Sequence, residues 1–423
     1  MAEKNTKDTR MSFADYAKQF AKTRKNDSIL RQSNLIPKYT RIKSLCPGIA
    51  YPTWGGLPHG GRIYEVSGLN SSGKTSGVSA MIADYQRNFP DKVVLYVDVE
   101  NTYDVMYHAV ANNFDPEKVY VYSPDVGEPG EIVLGTILDM VNTVSDLSMI
   151  VVDSIPALVP SIDYESEFEK DNGMRGTLAK FLYKWQRELI PAIRKNDIDL
   201  FLVNQTRVKG KTFTGADILD EPCGDAIKFY ASVRIRFGRR KFVDADGEEL
   251  TNSNKAGQEK NAATGQGASG YRIQFSFLKN KTAPTTRGGG FITYMFDGTG
   301  KQAYMDVTRD MFNIATKFNL IHRLNNVTYE VLDPATNEVI IDEDGQVLRG
   351  KKDDLYAYFK EHKAFTEKYT LAVNEKLASS AEFGGNLLDA ETAAALQKED
   401  EGVTLTLKEA EELNKDERIE VEE

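Results

Sequence analysis

Cysteine is nearly absent from this chain of 423 residues, with only Cys46 and Cys223 present. Two isolated thiols exclude a disulfide framework and a cysteine zinc cluster, and they fit a reducing compartment. Long hydrophobic runs are missing too. No apolar stretch approaches the roughly 18 residues that span a bilayer, and the opening MAEKNTKDTRMSF lacks the apolar centre of a secretory signal. A membrane protein is therefore excluded and an intracellular location is expected. Positive charge is also short, the formal net charge being -10, which at first sight argues against a nucleic-acid binder. That shortage is local. Residues 399–423 hold eleven acidic and three basic side chains, net -8, so everything before them carries only -2. Such a tail reads first as a solvated, disordered end, and more sharply as an electrostatic competitor for a basic surface elsewhere in the chain.

What is present points to one large domain with smaller attachments, because 423 residues that are 41% hydrophobic bury a sizeable core. Residues 1–45 form a polar arm with one amphipathic helix: SFADYAKQFAK sets Phe13, Ala17, Phe20 and Ala21 at helical spacing behind a capping signal from Ser12 and Asp15. Within a core domain expected over 46–300, β-branched runs (RIYEVSG, VVLYVDVE, MIVVDS, DLFLVNQ, SVRIRFG) alternate from about 60 to 240 with helical ones, including 131–145 and about 173–195. Apolar strands separated by helices predict an α/β domain on a mostly parallel sheet. Residues 244–270, poor in apolar side chains, read as a flexible hairpin tip or insertion. Residues 301–385 predict a small α+β domain with a strand pair in YEVLDPATNEVIIDEDGQVL, and 386–423 complete the acidic tail.

Within RIYEVSGLNSSGKTSGVSAMIADY, Gly68 is followed by four residues and then Gly73, Lys74 and Thr75. A glycine loop between strand and helix turns its backbone N–H groups towards phosphate, and the helix N-terminus adds partial positive charge. The nucleotide contacts expected are Gly68, Asn70, Ser71, Ser72, Gly73, Lys74, Thr75 and Ser76, with Lys74 on the β and γ phosphate oxygens and Thr75 on Mg²⁺. MIVVDS ends an apolar strand on Asp153, a carboxylate placed to hold the same Mg²⁺ through water. VVLYVDVE offers Asp98 and Glu100 on one strand face, and spacing does not say which would orient an attacking water. FLKNKTAP places Lys279 and Lys281 where a strand runs into proline.

SGLNSSGKT, YVDVENTYD, MIVVDSIPALVP, LVNQTR, GDAIKFYASVR and LKNKTAP stand in the order and near the spacings of the RecA family of homologous-recombination ATPases. From about residue 55 to 300 the chain resembles that family, and within it the phage branch of UvsX-type recombinases. The resemblance implies a RecA-type P-loop core with an N-terminal docking arm. It makes Glu100 the carboxylate that activates water and leaves Asp98 structural. It puts Tyr107 on adenine, Asp104 near the adenine amino group, and Gln205 between the γ-phosphate and the adjoining DNA loop. It sends Lys279 and Lys281 across a subunit boundary to the neighbour's ATP, with Lys228, Phe229 and Arg234 on the same seam. Two DNA loops are implied, 161–176 and 206–224; Arg175, Lys180 and Arg187 serve the first, and Arg207, Lys209, Lys211 and Phe213 the second. Cys223 beside Gly224 departs from the two glycines of many members.

The function implied is ATP-dependent DNA strand exchange. The partners would be single-stranded DNA, homologous duplex, further copies in a head-to-tail helical filament, and single-strand-binding and loader proteins, with no membrane. The setting would be the bacterial cytoplasm, including a phage-infected host. A hexameric helicase on the same core and a non-hydrolysing DNA-binding paralogue or mediator are the alternatives. The missing collar or primase-like domain argues against the first, and retention of Lys74, Thr75, Glu100, Asp153, Gln205, Lys279 and Lys281 against the second.

Overall fold

The computed structural model describes residues 11–24, 40–161, 177–211, 217–223, 225–255, 258–342, 344–379 and 387–388. Near the N-terminus the expected helix forms as α1 (Phe13–Arg24). Its cap is the one the sequence signals, the Asp15 N–H donating to Ser12 Oγ at 3.1 Å and the Ser12 hydroxyl donating back to Asp15 at 2.6 Å. This helix belongs to a unit ending at Thr40, five residues before the expected boundary, and the rest of the chain forms the second unit.

The second unit opens with a short ribbon of β1 (Arg41–Ile42) and β2 (Leu57–Pro58) around the buried turn α2 (Pro47–Ala50). Strand and helix then alternate through β3 (Ile63–Gly68), α3 (Lys74–Asn88), β4 (Val93–Asp98), α4 (Val105–Asn112), β5 (Val119–Tyr122), α5 (Gly130–Thr143), β6 (Leu147–Asp153), α6 (Thr177–Asn196) and β7 (Asp199–Val203). A second ribbon, β8 (Arg207–Lys211) with β9 (Asp217–Asp220), leads into α7 (Asp225–Tyr230) and β10 (Val233–Phe237). After β11 (Lys241–Val243) come the small hairpin β12 (Ser253–Lys255) and β13 (Gln258–Lys260), then β14 (Gly270–Asn280), β15 (Gly289–Phe296) and β16 (Ala303–Met305).

The main sheet runs β16-β15-β14-β10-β3-β7-β6-β4-β5, with β11 also paired to β14. From β10 to β5 all pairings are parallel, whereas β14, β15 and β16 close one side antiparallel. Parallel strands need crossovers, and the helices supply them on both faces. Successive residues feed opposite layers: in β7, Phe201 and Val203 join α3 and α4 through Met81, Tyr85 and Ala109, while Leu200 and Leu202 join α5 and α6 through Leu134, Ile137, Leu189 and Ile193.

The expected insertion is folded in part. Leu250 is buried, and Asp244 closes a turn by accepting from the Asp246 and Glu248 N–H groups. The small α+β layer contains α8 (Val307–Lys317), a three-stranded sheet of β17 (Ile321–Arg323), β18 (Thr328–Val331) and β19 (Arg349–Lys351), then α9 (Lys352–Glu361) and α10 (Lys363–Ser379). Phe312, Phe359, Tyr369 and Val373 form its core and reach Tyr51 and Phe291 of the ATPase-like layer. Among the described residues no helix is long and apolar enough to cross a membrane. The acidic tail lies outside the described residues.

Leu189 is fully buried beneath the sheet, and its neighbour Glu188 is exposed. Leu189→Ala is expected to cost about 2–5 kcal/mol and Glu188→Ala less than about 0.5 kcal/mol, read as the difference between their urea unfolding midpoints and that of the unaltered chain.

Candidate nucleotide site and the adjoining loop

Four parallel strands finish on the residues the sequence singles out: β3 on Gly68, β6 on Asp153, and β4 and β7 two residues before Glu100 and Gln205. The loop after β3 is tightly enclosed. Gly73 caps α3 with φ +92°, and a methyl group there would stand 2.4 Å from Ile273 Cγ2 of β14. One at Gly68 would meet Phe237 O of β10 at 2.7 Å. Lys74 Nζ donates to the Gly68 and Leu69 carbonyls, both at 2.9 Å. Burial lowers the ammonium pKa, and the negative charges of Asp153 and Glu100 oppose that lowering.

Asp153 is held by two hydroxyl donors, Tyr96 at 2.6 Å and Thr75 at 3.2 Å. Burial raises its pKa first and Glu100 adds to the rise, while the Tyr96 and Thr75 bonds and the Lys74 charge oppose it. A threonine hydroxyl beside a single carboxylate fits Mg²⁺, which takes one or two protein oxygens and completes its shell with phosphate and water. Among the described residues no group of three or more His, Cys, Asp or Glu side chains that could hold a metal ion is present.

Asp98 and Glu100, which spacing leaves as alternatives, stand in different surroundings. Asp98 is buried and accepts from the Tyr103 N–H at 2.8 Å, fixing the turn into α4. Glu100 is exposed; its carboxylate accepts from Ser154 Oγ and, at 2.8 Å, from Gln205 Nε2. Asp104 caps α4 by accepting from the Tyr107 N–H at 2.9 Å, and half-buried Tyr107 stands in the first turn of that helix. Tyr96 went unnoticed in the sequence although it is the one aromatic in the apolar strand VVLYVD. It stacks on Tyr103 at 3.6 Å, and Tyr103 stacks on His108 at 5.1 Å, packing the Asp153 donor rigidly.

Beyond Gln205 the chain enters the ribbon carrying Arg207, Lys209 and Lys211, with Arg207 exposed. A cleft of about 460 Å³ separates ribbon from phosphate loop, lined by Leu69, Asn70, Gln205, Thr206, Arg207 and Arg239. Arg239 was also missed; its only signal was the paired arginine of GRRKF. Lys180 and Arg187 lie on the solvent face of α6, with Arg187 over the Tyr183 ring at 5.9 Å. Arg175 and Phe213 lie outside the described residues. Cys223 takes φ +79° where the family resemblance suggests glycine, and burial pushes its thiol up to about 12, leaving it an inert core group.

Lys279 and Lys281 gather with α7. Lys281 donates to Phe229 O at 3.2 Å, and Lys279 donates to Lys228 O and, at 3.4 Å, to Phe229 O. The Phe229 side chain beside them is 73% exposed. Arg234 corrects the expectation that it lies on a subunit seam. It is 8% exposed, on a strand flanked by β3 and β14, and its guanidinium turns inward to Glu65 and Glu221, each at 2.5 Å.

A glycine phosphate loop between strand and helix, with a strand-end aspartate opposite its threonine, defines a P-loop nucleotide-binding protein. Comparison with known proteins narrows the class. A family profile described as the RecA N-terminal domain matches residues 17–287. Protein RecA of Helicobacter hepaticus is 27% identical over 337 residues, covering 78% of this chain and 81% of that protein. Protein RecA of Thermus thermophilus is 30% identical over 295 residues, covering 69% and 74%. The chain belongs to the RecA family and is a RecA-family recombinase.

Gly73→Ala combines a left-handed backbone with a clash, so it is expected to weaken nucleotide binding at least about tenfold while most of the fold persists. Equilibrium titration with a fluorescent ATP analogue checks this, and an affinity within twofold of the unaltered chain would contradict it.

Proposed function

We propose that this recombinase assembles head to tail on single-stranded DNA, pairs it with homologous duplex, and hydrolyses ATP at sites completed by the neighbouring copy. The observation that carries this reading is the position of the lysine pair. The Lys281 N–H donates to Ser232 O, and the Ser232 N–H to Ile63 O. Lys281 therefore sits level with the start of β3, five residues before Gly68, or about 16 Å away at roughly 3.3 Å per residue. A lysine side chain does not extend that far. The pair is out of reach of its own phosphate loop and, beside exposed Phe229, is available to an anion on another molecule.

In this reading Lys74 binds the β and γ oxygens of ATP, and Tyr107 and Asp104 flank the adenine. Thr75 and Asp153 would hold Mg²⁺, which offsets phosphate charge when bound. Glu100 orients the attacking water and draws its proton. Gln205, bonded to Glu100 at one end of its short side chain, stands immediately before the loop and links hydrolysis to DNA occupancy. Arg207, Lys209 and Lys211 hold backbone phosphate with Phe213 as a wedge between bases, and Lys180, Arg187 and Arg175 serve the first loop. Lys279 and Lys281 of the adjoining copy stabilise the charge that develops on the transferred phosphoryl group. A heterologous contact that does not close yields a helical filament, with the N-terminal helix docking on the next copy.

Glu100→Gln and Lys281→Ala chains are each expected to be nearly inactive as ATPases while still binding DNA. Mixed in equal amounts on single-stranded DNA, they should regain activity, because an interface joining intact Glu100 of one to intact Lys281 of the other is complete. Random assembly places that junction at about a quarter of interfaces, which bounds the recovery. Steady-state ATP hydrolysis measures it, with fluorescent labels verifying co-assembly. Absence of recovery in a co-assembled mixture would defeat the shared site, and closed rings in electron micrographs would favour a hexameric helicase.

A further inference from the structure

Glu221 has no place in the nucleotide or DNA contacts above, yet its carboxylate is held by three side-chain donors. It follows β9 at the loop's C-terminal root and is 6% exposed. One oxygen accepts from Ser67 Oγ at 2.9 Å and from Arg236 Nη2 at 2.6 Å; the other accepts from Arg234 Nη2 at 2.5 Å. Ser67 immediately precedes Gly68. Arg234 is in register with Lys279 on one side and with Glu65 of β3 on the other. The next carbonyl, Pro222 O, accepts from Asn204 Nδ2 at 3.1 Å, and the same amide donates to Glu65 at 3.0 Å. Asn204 in turn adjoins Gln205. The root of the loop thus touches the strand entering the phosphate loop, the strand beside the lysine pair, and the neighbour of Gln205.

Although burial pushes the Glu221 carboxyl upward, the Arg236 and Arg234 guanidinium groups hold it below the ordinary carboxylate range. Burial and the Glu221 charge raise Glu65, the second acid on Arg234. The Glu221 carboxylate occupies one position, between two buried cations, and the alternative to it is withdrawal of the loop root. Withdrawal leaves both guanidinium groups without this counter-charge, so intermediate placements are disfavoured. An element of this kind transmits a bound state because each ligand biases the same discrete alternative.

We propose that Glu221 is a positioning residue that couples the loop to the nucleotide site: single-stranded DNA holds the loop root in, which aligns Ser67 with the phosphate loop and Arg234 beside Lys279. This rests on the reading of residues 206–224 as a DNA loop. Glu221 touches neither ligand, so its loss should remove the linkage between them rather than either binding event.

The test measures the affinity of a fluorescent single-stranded oligonucleotide with and without a non-hydrolysable ATP analogue, in the full chain and in the Glu221→Gln and Ser67→Ala variants. The factor by which nucleotide tightens DNA binding is expected to fall at least about fivefold in Glu221→Gln and by less, in the same direction, in Ser67→Ala. Affinity for the analogue without DNA should stay within twofold. A lower melting temperature with an unchanged factor would show a merely structural role and overturn the proposal. Should Glu221→Gln fail to fold, Ser67→Ala decides, and an unchanged factor there overturns it equally. A factor of one in the unaltered chain would instead overturn the reading of residues 206–224 as a DNA loop linked to the nucleotide site, on which the proposal rests.

Discussion

Parallel strands all finish at the same end of a sheet, and this one constraint gathers the nucleotide chemistry. Gly68, Glu100, Asp153 and Gln205 come from four widely separated stretches, yet each lies at or within two residues of a strand end on β3, β4, β6 or β7. Ligands bind at the carboxyl ends of such strands because the loops and helix N-termini open there. The reversed strand β14 obeys the same geometry in the opposite sense. Running antiparallel to β10, it delivers Lys279 and Lys281 to the far end of the sheet. One architectural rule thus accounts both for the groups that meet and for the pair kept apart from them.

Charge balance explains why this assembly is stable before any ligand adds its own charges. Burial lowers the Lys74 ammonium and raises the Asp153 carboxyl, and the Glu100 charge opposes the first shift and adds to the second. Removal from water penalises each charge, and the opposite charges nearby return part of that penalty. The Tyr96 hydroxyl adds a neutral donor to Asp153, so the carboxylate is oriented without a second fixed cation. Further down the sheet the same logic recurs on a larger scale, where Arg234 and Arg236 are matched by Glu65 and Glu221.

The parts of this arrangement that are local in sequence were legible there. The phosphate loop needs a strand, two glycines and a helix within about twenty consecutive residues, and α1 with its Ser12 and Asp15 cap is similarly self-contained. Asp153 was legible because a carboxylate ending an apolar run is conspicuous. Asp98 and Glu100, two residues apart, were not separable by spacing; the Tyr103 N–H and the Gln205 amide separate them, and those contacts exist only after folding. Arg234 was put on a subunit seam by the resemblance alone. Its inward turn to Glu65 and Glu221 could not be read from the pattern, because it depends on β3 and β14 flanking its strand after folding. Glu221 itself lay among the acidic residues of a loop, where nothing in the pattern distinguishes a buried carboxylate from a solvated one.

Strand β14 is in contact with two different sites at once. Ile273 presses on the backbone of its own phosphate loop at Gly73, and six residues further along the same rigid element Lys279 leaves for the opposite end. In a row of copies, each such strand would sense the nucleotide behind it and present its cations to the nucleotide ahead. Occupied sites would then be wired in series rather than in parallel. In the proposed head-to-tail row, a disturbance entering at one site would have a built-in forward direction, and the two ends of the row would be mechanically inequivalent even though every copy is the same.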